Sequence, residues 1–315
     1  MYKVFIDGRE GTTGLRIYER LEQRNDLTLI VLDEASRKDP AARREALNSA
    51  DVAFLCLPDA AAREAVSMIE NDHTRVIDAS TAHRTLPGWC YGLPELGTSF
   101  FEKLQTSKRT AVPGCHASGF ISLVYPLVTA GILPVEADIT CHSVTGYSGG
   151  GKKMIAQYED SNRSPLFASP RQYGLTQQHK HLKEMQAVCG LRKAPVFCPI
   201  VSDFYSGMVV TVPLFAGMLC PGYSVEDIKA VYRTQYAGPI VRYSEEIDED
   251  GFFSANAIAG SDSMQITVAG NEERILLISR FDNLGKGASG AAIECMNIML
   301  GDDPTHGLDL TEVSL

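Results

Sequence analysis

The chain of 315 residues suits one large domain or two medium ones, and its 44% hydrophobic and 22% charged residues are ordinary for a globular protein. A formal net charge of −10, from 29 basic against 39 acidic side chains, argues against a nucleic-acid or anionic-membrane partner, though not against a small anion met by local positive charge. No apolar run approaches the ~20 residues that span a bilayer, and the chain turns into a glycine loop too early for a secretory signal.

The opening "KVFIDG" is a short apolar run ending in glycine and predicts a buried parallel strand. "GREGTTG" then sets Gly8, Gly11 and Gly14 at three-residue spacing, and "LRIYERLEQRN" predicts an amphipathic helix. Strand, glycine turn and helix in that order form a dinucleotide-type phosphate loop. Glycines admit the pyrophosphate to the backbone, the helix N-terminus offers amides and positive dipole, and Thr12 and Thr13 add hydroxyls. Further strands at "LTLIVLD" (27–33), "ADVAFLCLP" (50–58) and "TRVIDAS" (74–80), with helices at "AARREALNSA" and "DAAAREAVSMIEN", complete a doubly wound α/β pattern. After the second strand, Asp33 and Glu34 suit a ribose 2′-hydroxyl, whereas Ser36, Arg37 and Lys38 suit a 2′-phosphate; the balance favours NADP(H).

"TAVPGC" predicts a strand end and a sharp turn, followed by a helix over "HASGFISLVYPLVTAG" with Pro126 as a possible kink site. Cys115 then stands at a helix N-terminus. There the dipole and amides lower a thiol pKa and stabilise an oxyanion, which favours a nucleophile over a core thiol. The chain has eight cysteines with no C-x-x-C pair, and the other seven read mostly as reduced core thiols of a cytoplasmic protein. "SVTGYSGGGKK" is a second glycine-rich turn, suited to phosphate or the nicotinamide end of a cofactor, or else a plain hairpin turn.

In "YGLTQQHKHLKEM", a helix capped by Thr176 sets His181 on the side of Met185 and Val188 and His179 toward a cleft. Residues two apart diverge on a helix, so one histidine reaches the thiol; His179 is preferred as acid/base and His181 as substrate-orienting. The pair lacks companions at metal-ligand spacing, so no metal is expected, and His116 need not lie beside its sequence neighbour in space. "ADITCHSVTG", "GMVVTVPLFAG", "GPIVRYSEE" and "SMQITVAGNEERILLISRFDN" predict a mostly antiparallel sheet, with a helix over "SVEDIKAVYRTQYAG" capped by Ser224. A third glycine loop, carrying Asn283, precedes a last apolar helix that returns to the first domain or closes the fold. The expected fold is α/β: a Rossmann-type doubly wound domain (1–114 with 285–315) and an α+β catalytic and dimerisation domain (115–284).

"DGREGTTGLRI", "VIDASTAHR", "YGLPEL", "VPGCHASGF", "GYSGGGKK", "YGLTQQHKHLKEM" and "DNLGKGASGAA", in this order along nearly the whole chain, resemble the semialdehyde dehydrogenase superfamily. The likeness is closest to the shorter subgroup of its acyl-phosphate reductases in arginine biosynthesis. By position it implies Cys115 as nucleophile, His179 and His181 in the active site, and Tyr173, Ser148 and Arg84 toward the substrate. It implies NADP held by the 8–14 loop with Pro58 and Ser80, and nicotinamide-side contacts from Gly149, Gly150 and Asn283. The implied reaction reduces N-acetyl-gamma-glutamyl phosphate with NADPH to the 5-semialdehyde and phosphate, through a cysteine thioester, in a homodimer or homotetramer. Alternatives are an aspartyl-phosphate reductase, weakened because the late Arg…His-Ser segment of that enzyme is absent, and a non-catalytic nucleotide-binding protein.

Overall fold

A computed structural model describes residues 1–246 and 249–310, in two compact units. The first comprises Met1–Pro94, Thr98–Pro113 and Ala288–Leu308. Its elements are β1 (Tyr2–Asp7), α1 (Thr12–Leu21), β2 (Leu27–Ile30), α2 (Pro40–Ser49), β3 (Val52–Leu55), α3 (Asp59–Ser67), β4 (Arg75–Asp78), β5 (Cys90–Tyr91), α4 (Thr98–Thr106) and β6 (Arg109–Ala111). The six strands form one parallel sheet in the order β2-β1-β3-β4-β6-β5.

Period-two alternation divides the strand side chains between two cores. Val4, Ile6, Phe54 and Ile77 pack with Ile17 and Leu21 of α1, while Phe5, Ala53, Leu55 and Val76 pack with Ala46, Leu47, Ala62 and Ala65 of α2 and α3. The last apolar helix, Gly290–Leu300, joins the first of these cores through Ile293, Met296 and Ile298, so it returns to this unit. Asp39 begins α2 by accepting from the amides of Ala41 and Ala42 ahead of Pro40, a start signal set in a few residues.

Among the described residues, the second unit comprises Glu95–Gly97, Gly114–Gly287, Asp309 and Leu310. It contains α5 (Cys115–Thr129), β7 (Thr140–Gly146), α6 (Gly151–Glu159), β8 (Arg171–Gln172), α7 (Leu182–Cys189), β9 (Val196–Ser202), β10 (Met208–Phe215), α8 (Val225–Gln235), β11 (Val241–Tyr243), β12 (Met264–Gly270) and β13 (Arg274–Phe281). The sheet order is β11-β12-β13-β10-β7-β9-β8. Four of its six described pairings are antiparallel, as expected, but the sheet is mixed, because β7 runs parallel to β9 and β11 to β12. The long connection through α6 and α7 between β7 and β9 permits a parallel return that a hairpin cannot.

Met208, Val210, Val212 and Leu214 of β10 alternate inward and bury fully or nearly so. Helix α5 crosses this face at Gly119, where a Cβ would fall 2.6 Å from both Ser279 Oγ and Val210 Cγ2. Pro126 sits within α5 and cannot donate to the Ser122 carbonyl one turn back; Tyr236 Oη donates to it instead at 2.6 Å. Tyr236→Phe is therefore expected to strand a buried carbonyl and lower unfolding free energy by about 1–3 kcal/mol in urea titrations. Ser224 and Asp227 close a capping box on α8, as the sequence leads one to expect. Among the described residues no helix is long and apolar enough to cross a membrane.

Candidate active site

In the first unit the glycine loop follows β1 directly. Gly8 has φ +86°, and a Cβ there would fall 2.4 Å from the Cys56 carbonyl oxygen; a Cβ at Gly14 would fall 2.5 Å from the Gly8 oxygen. No other residue type fits these two positions without moving backbone. Gly11 donates to Gly8 O at 3.0 Å and caps α1, whose first-turn amides at Thr12, Thr13 and Gly14 have no carbonyl within the helix. This cradle fits a pyrophosphate.

Beside it lies a cavity of about 290 Å³ whose wall includes Gly8, Tyr18, Arg37, Lys38 and Arg43. Asp33 accepts from the Ser36 amide at 2.8 Å and from its hydroxyl, and Glu34 is chelated by Arg37. Those hydrogen bonds hold both carboxyls below the usual carboxylate range. Among the described residues, the cavity wall thus takes Arg37 and Lys38 rather than the two acids.

Pro58 precedes α3 as its N-cap residue. Ser80 is buried, donates to Asp78 at 2.8 Å and accepts from the Ala82 amide at 3.1 Å, so its hydroxyl builds the turn after β4. Asp78 also meets His83 Nδ1 at 2.6 Å, and His83 stacks on Trp89 at 4.0 Å. Arg84 leaves this turn and donates to Val112 O (2.9 Å) and Ala79 O (3.2 Å).

In the second unit Cys115 is partly buried and is the first residue of α5, with Gly114 as N-cap. The Gly114 amide donates to the buried Glu184 carboxylate at 3.1 Å, which holds the turn before the thiol. On the other side Gly287 presses close: a Cβ there would stand 3.0 Å from Cys115 Cβ. Tyr173 completes the surroundings; burial first, and then the Cys115 charge, push its phenol pKa up, so it remains a hydroxyl donor.

His116 gathers the rest. One ring nitrogen lies 2.7 Å from Ser143 Oγ, the other 2.7 Å from Tyr173 Oη, and its ring is 5.7 Å from that of His179 and 5.5 Å from that of His181. Both histidine rings approach each other edge-on at 4.7 Å, with Phe197 5.2 Å from His116 and His179. The His181 amide donates to His179 Nδ1 at 3.2 Å, so neutral His179 carries its proton on Nε2.

Burial, then the charges of His179 and Lys180, lower the His116 pKa to about 3. It is a neutral link between Ser143 and Tyr173. Its contribution to stability is complete above pH 6.5 and is lost as pH falls toward about 3, because the unfolded chain takes up a proton that the fold refuses. The expected slope is up to about 1.4 kcal/mol per pH unit, and urea titrations of His116→Gln should lack that part of it.

The expected helix from Thr176 does not form; α7 begins at Leu182, and both histidines stand in the turn before it. Gly174 and Gln177 have φ of +64° and +56°, and the Gln177 side chain pairs with both the amide (2.9 Å) and carbonyl (2.7 Å) of Phe197. That bridge to β9 replaces helical bonding and turns both rings toward His116. Asn283 meets the second glycine loop: Nδ2 donates to Ser148 Oγ at 3.0 Å, Oδ1 accepts from Gly207 at 2.9 Å, and a Cβ at Gly149 would lie 3.3 Å from Nδ2. Gly150 follows as the N-cap of α6. Sequence reading missed His116, Ser143, Glu184 and Gly287; the signals were the "CH" pair, the "HKHLKE" spacing and the third glycine loop.

Residues 3–103 match the family model described as semialdehyde dehydrogenase, NAD binding domain, and residues 115–283 that described as semialdehyde dehydrogenase, dimerisation domain. The chain is 44% identical over 309 residues to N-acetyl-gamma-glutamyl-phosphate reductase 2 of Pseudomonas putida, covering 96% of this chain and 98% of that protein. It is 45% identical over 305 residues to N-acetyl-gamma-glutamyl-phosphate reductase of Rhizobium meliloti, covering 95% and 98%. Among solved structures, aspartate semialdehyde dehydrogenase II from Vibrio cholerae aligns with TM-score 0.70 at 15% identity, over 96% of this chain and 99% of that one. That from Francisella tularensis aligns with TM-score 0.70 at 13% identity, over 95% and 100%. At such identities these two speak to the fold alone.

Proposed function

The chain belongs to the semialdehyde dehydrogenase family, and from that premise we propose that it reduces N-acetyl-gamma-glutamyl phosphate with NADPH through a Cys115 thioester. The observation that carries the reading is Cys115 in the first turn of α5, in the same unit as the His116, Tyr173, His179 and His181 cluster. The names of relatives at 44% and 45% identity support the substrate.

Gly8, Gly11, Thr12, Thr13 and Gly14 would hold the cofactor pyrophosphate, and Arg37 and Lys38 its 2′-phosphate. Gly149, Gly150 and Asn283 are proposed toward the nicotinamide, and Arg84 toward the substrate phosphate. When bound, NADPH supplies the hydride.

The protein's own part is nucleophilic and electrostatic. Cys115 Sγ attacks the acyl carbon; the bond to phosphate breaks, and phosphate leaves with the electron pair. Amides of the first α5 turn stabilise the developing oxyanion. Once the thioester carbon is reduced, His179 Nε2–H donates a hydrogen bond to the alkoxide and holds its charge. As that oxyanion collapses to the carbonyl, the C–S bond breaks, and aldehyde and Cys115 thiolate separate. His181 and Tyr173 orient the substrate. The same reading has the chain act in the cytoplasm as a homodimer or homotetramer, supported by the dimerisation model matched over 115–283.

The test runs the reaction backward. NADP⁺ should be reduced in the presence of N-acetylglutamate 5-semialdehyde only when phosphate is supplied. Aspartate semialdehyde, assayed alongside, should be much slower; an equal or higher rate would transfer the assignment to aspartyl phosphate.

A further inference from the structure

Two stretches of sequence, "YGLPEL" and "DNLGKGASGAA", meet in the second unit through a buried ion pair. Lys286 Nζ donates to Glu95 Oε1 at 2.5 Å, and the lysine side chain is 0% exposed against 17% for the glutamate. A fully buried ammonium is costly unless a carboxylate faces it, so the pair holds both segments in one arrangement. Glu95 is itself anchored, since Gln235 at the end of α8 donates to its carbonyl at 2.5 Å.

Lys286 belongs to the π-helical turn Gly285–Ser289, and single π turns are common at functional sites. The turn begins on Asp282, whose carbonyl accepts from the amides of both Gly285 (3.1 Å) and Gly287 (3.0 Å). Its neighbours matter for the thiol. Gly287, next to Lys286, is the residue packed against Cys115, and Asn283, three residues before Lys286, bonds Ser148 and Gly207. The ammonium, paired with Glu95, is a charged anchor lying between these two contacts in sequence.

We propose that Lys286 is a positioning residue: its ion pair with Glu95 sets the π turn so that Gly287 backs the Cys115 thiol and Asn283 is kept at Ser148. The pair acts through the glycine and the asparagine and does not itself touch the reacting atoms. The part concerning turnover rests on the proposed reductase reaction; the part concerning the thiol does not.

The experiment uses the full chain in three forms: wild type, E95Q, which keeps shape and an acceptor but removes the charge, and K286M/E95M, which removes both charges. Replacing both partners by apolar side chains leaves no uncompensated charge, so the double variant is expected to melt close to wild type. Iodoacetamide alkylation of Cys115 is followed against pH well below the melting range, and kcat and KM are measured in the phosphate-dependent assay. Both variants should show a shifted alkylation profile and a kcat lower by about 10–100-fold with KM little changed, the signature of a misplaced reacting group. A wild-type alkylation profile and kcat in E95Q, or in a folded K286M/E95M, would overturn the proposal and leave the pair as fold stabilisation. If wild type itself turns over neither semialdehyde, the reductase reading fails, and the alkylation profiles still decide the role of Lys286.

Discussion

Replacing Cys115 with serine is expected to lower phosphate-dependent turnover at least about 10³-fold, with the fold and NADPH binding intact. The side chains are nearly the same size, and Cys115 is only partly buried at the start of α5, so the change leaves no cavity and strands no polar group. Chemistry changes far more than packing. A thiol ionises within reach of neutral pH and a serine hydroxyl does not, and the neutral His116 is already committed to Ser143 and Tyr173. Wild-type protein mixed with acyl phosphate and no cofactor should release about one equivalent of phosphate per site in a burst, and Cys115→Ser none. A serine variant within tenfold of wild type (about 1.4 kcal/mol of barrier) would end the covalent mechanism.

What could be read from the sequence depended on whether the signal was local. The glycine loop was legible because Gly8 takes a left-handed φ and crowds Gly14 six residues on, both local demands, while the crowding of Gly8 by Cys56 just past β3 only reinforces them. Helix α8 was legible because Ser224 and Asp227 write their own cap, and β10 because its alternation survives to the buried face. Strand β9, "VFCPIVS", went unread: its proline and cysteine hide the alternation, and its partners β7 and β8 are distant in sequence.

The histidine turn failed for a related reason. Nothing local to "LTQQHKH" reports that Gln177 bonds to Phe197 some twenty residues on, yet that contact decides helix against turn. With it went the rule that residues two apart diverge, since the rule holds only on a helix. His116 was discounted for the mirror-image reason. Its neighbour in sequence is the proposed nucleophile, but its partners come from β7 and from the turn after β8. The Lys286–Glu95 pair, 191 residues apart, has no local trace at all.

His179→Gln is expected to lower kcat by about 10²–10³-fold, the range for loss of one donor to a developing oxyanion. The choice of His179 over His181 follows from the turn. His181 is 5% exposed, with its backbone starting α7, whereas His179 is more open and has Nδ1 occupied by the His181 amide. That bond leaves Nε2–H as the donor His179 presents to the developing oxyanion. Glutamine lacks the ring that aims this N–H, so the oxyanion loses its positioned donor. Thioester formation, driven by the thiolate and a good leaving group, should therefore persist in His179→Gln. The phosphate burst without cofactor remains, while steady-state reduction and the collapse to aldehyde slow down. His181→Gln should instead raise KM more than it lowers kcat, as expected of a group that orients substrate. A His179→Gln protein that keeps most of its kcat, beside a His181→Gln protein that loses it, would reverse the two assignments.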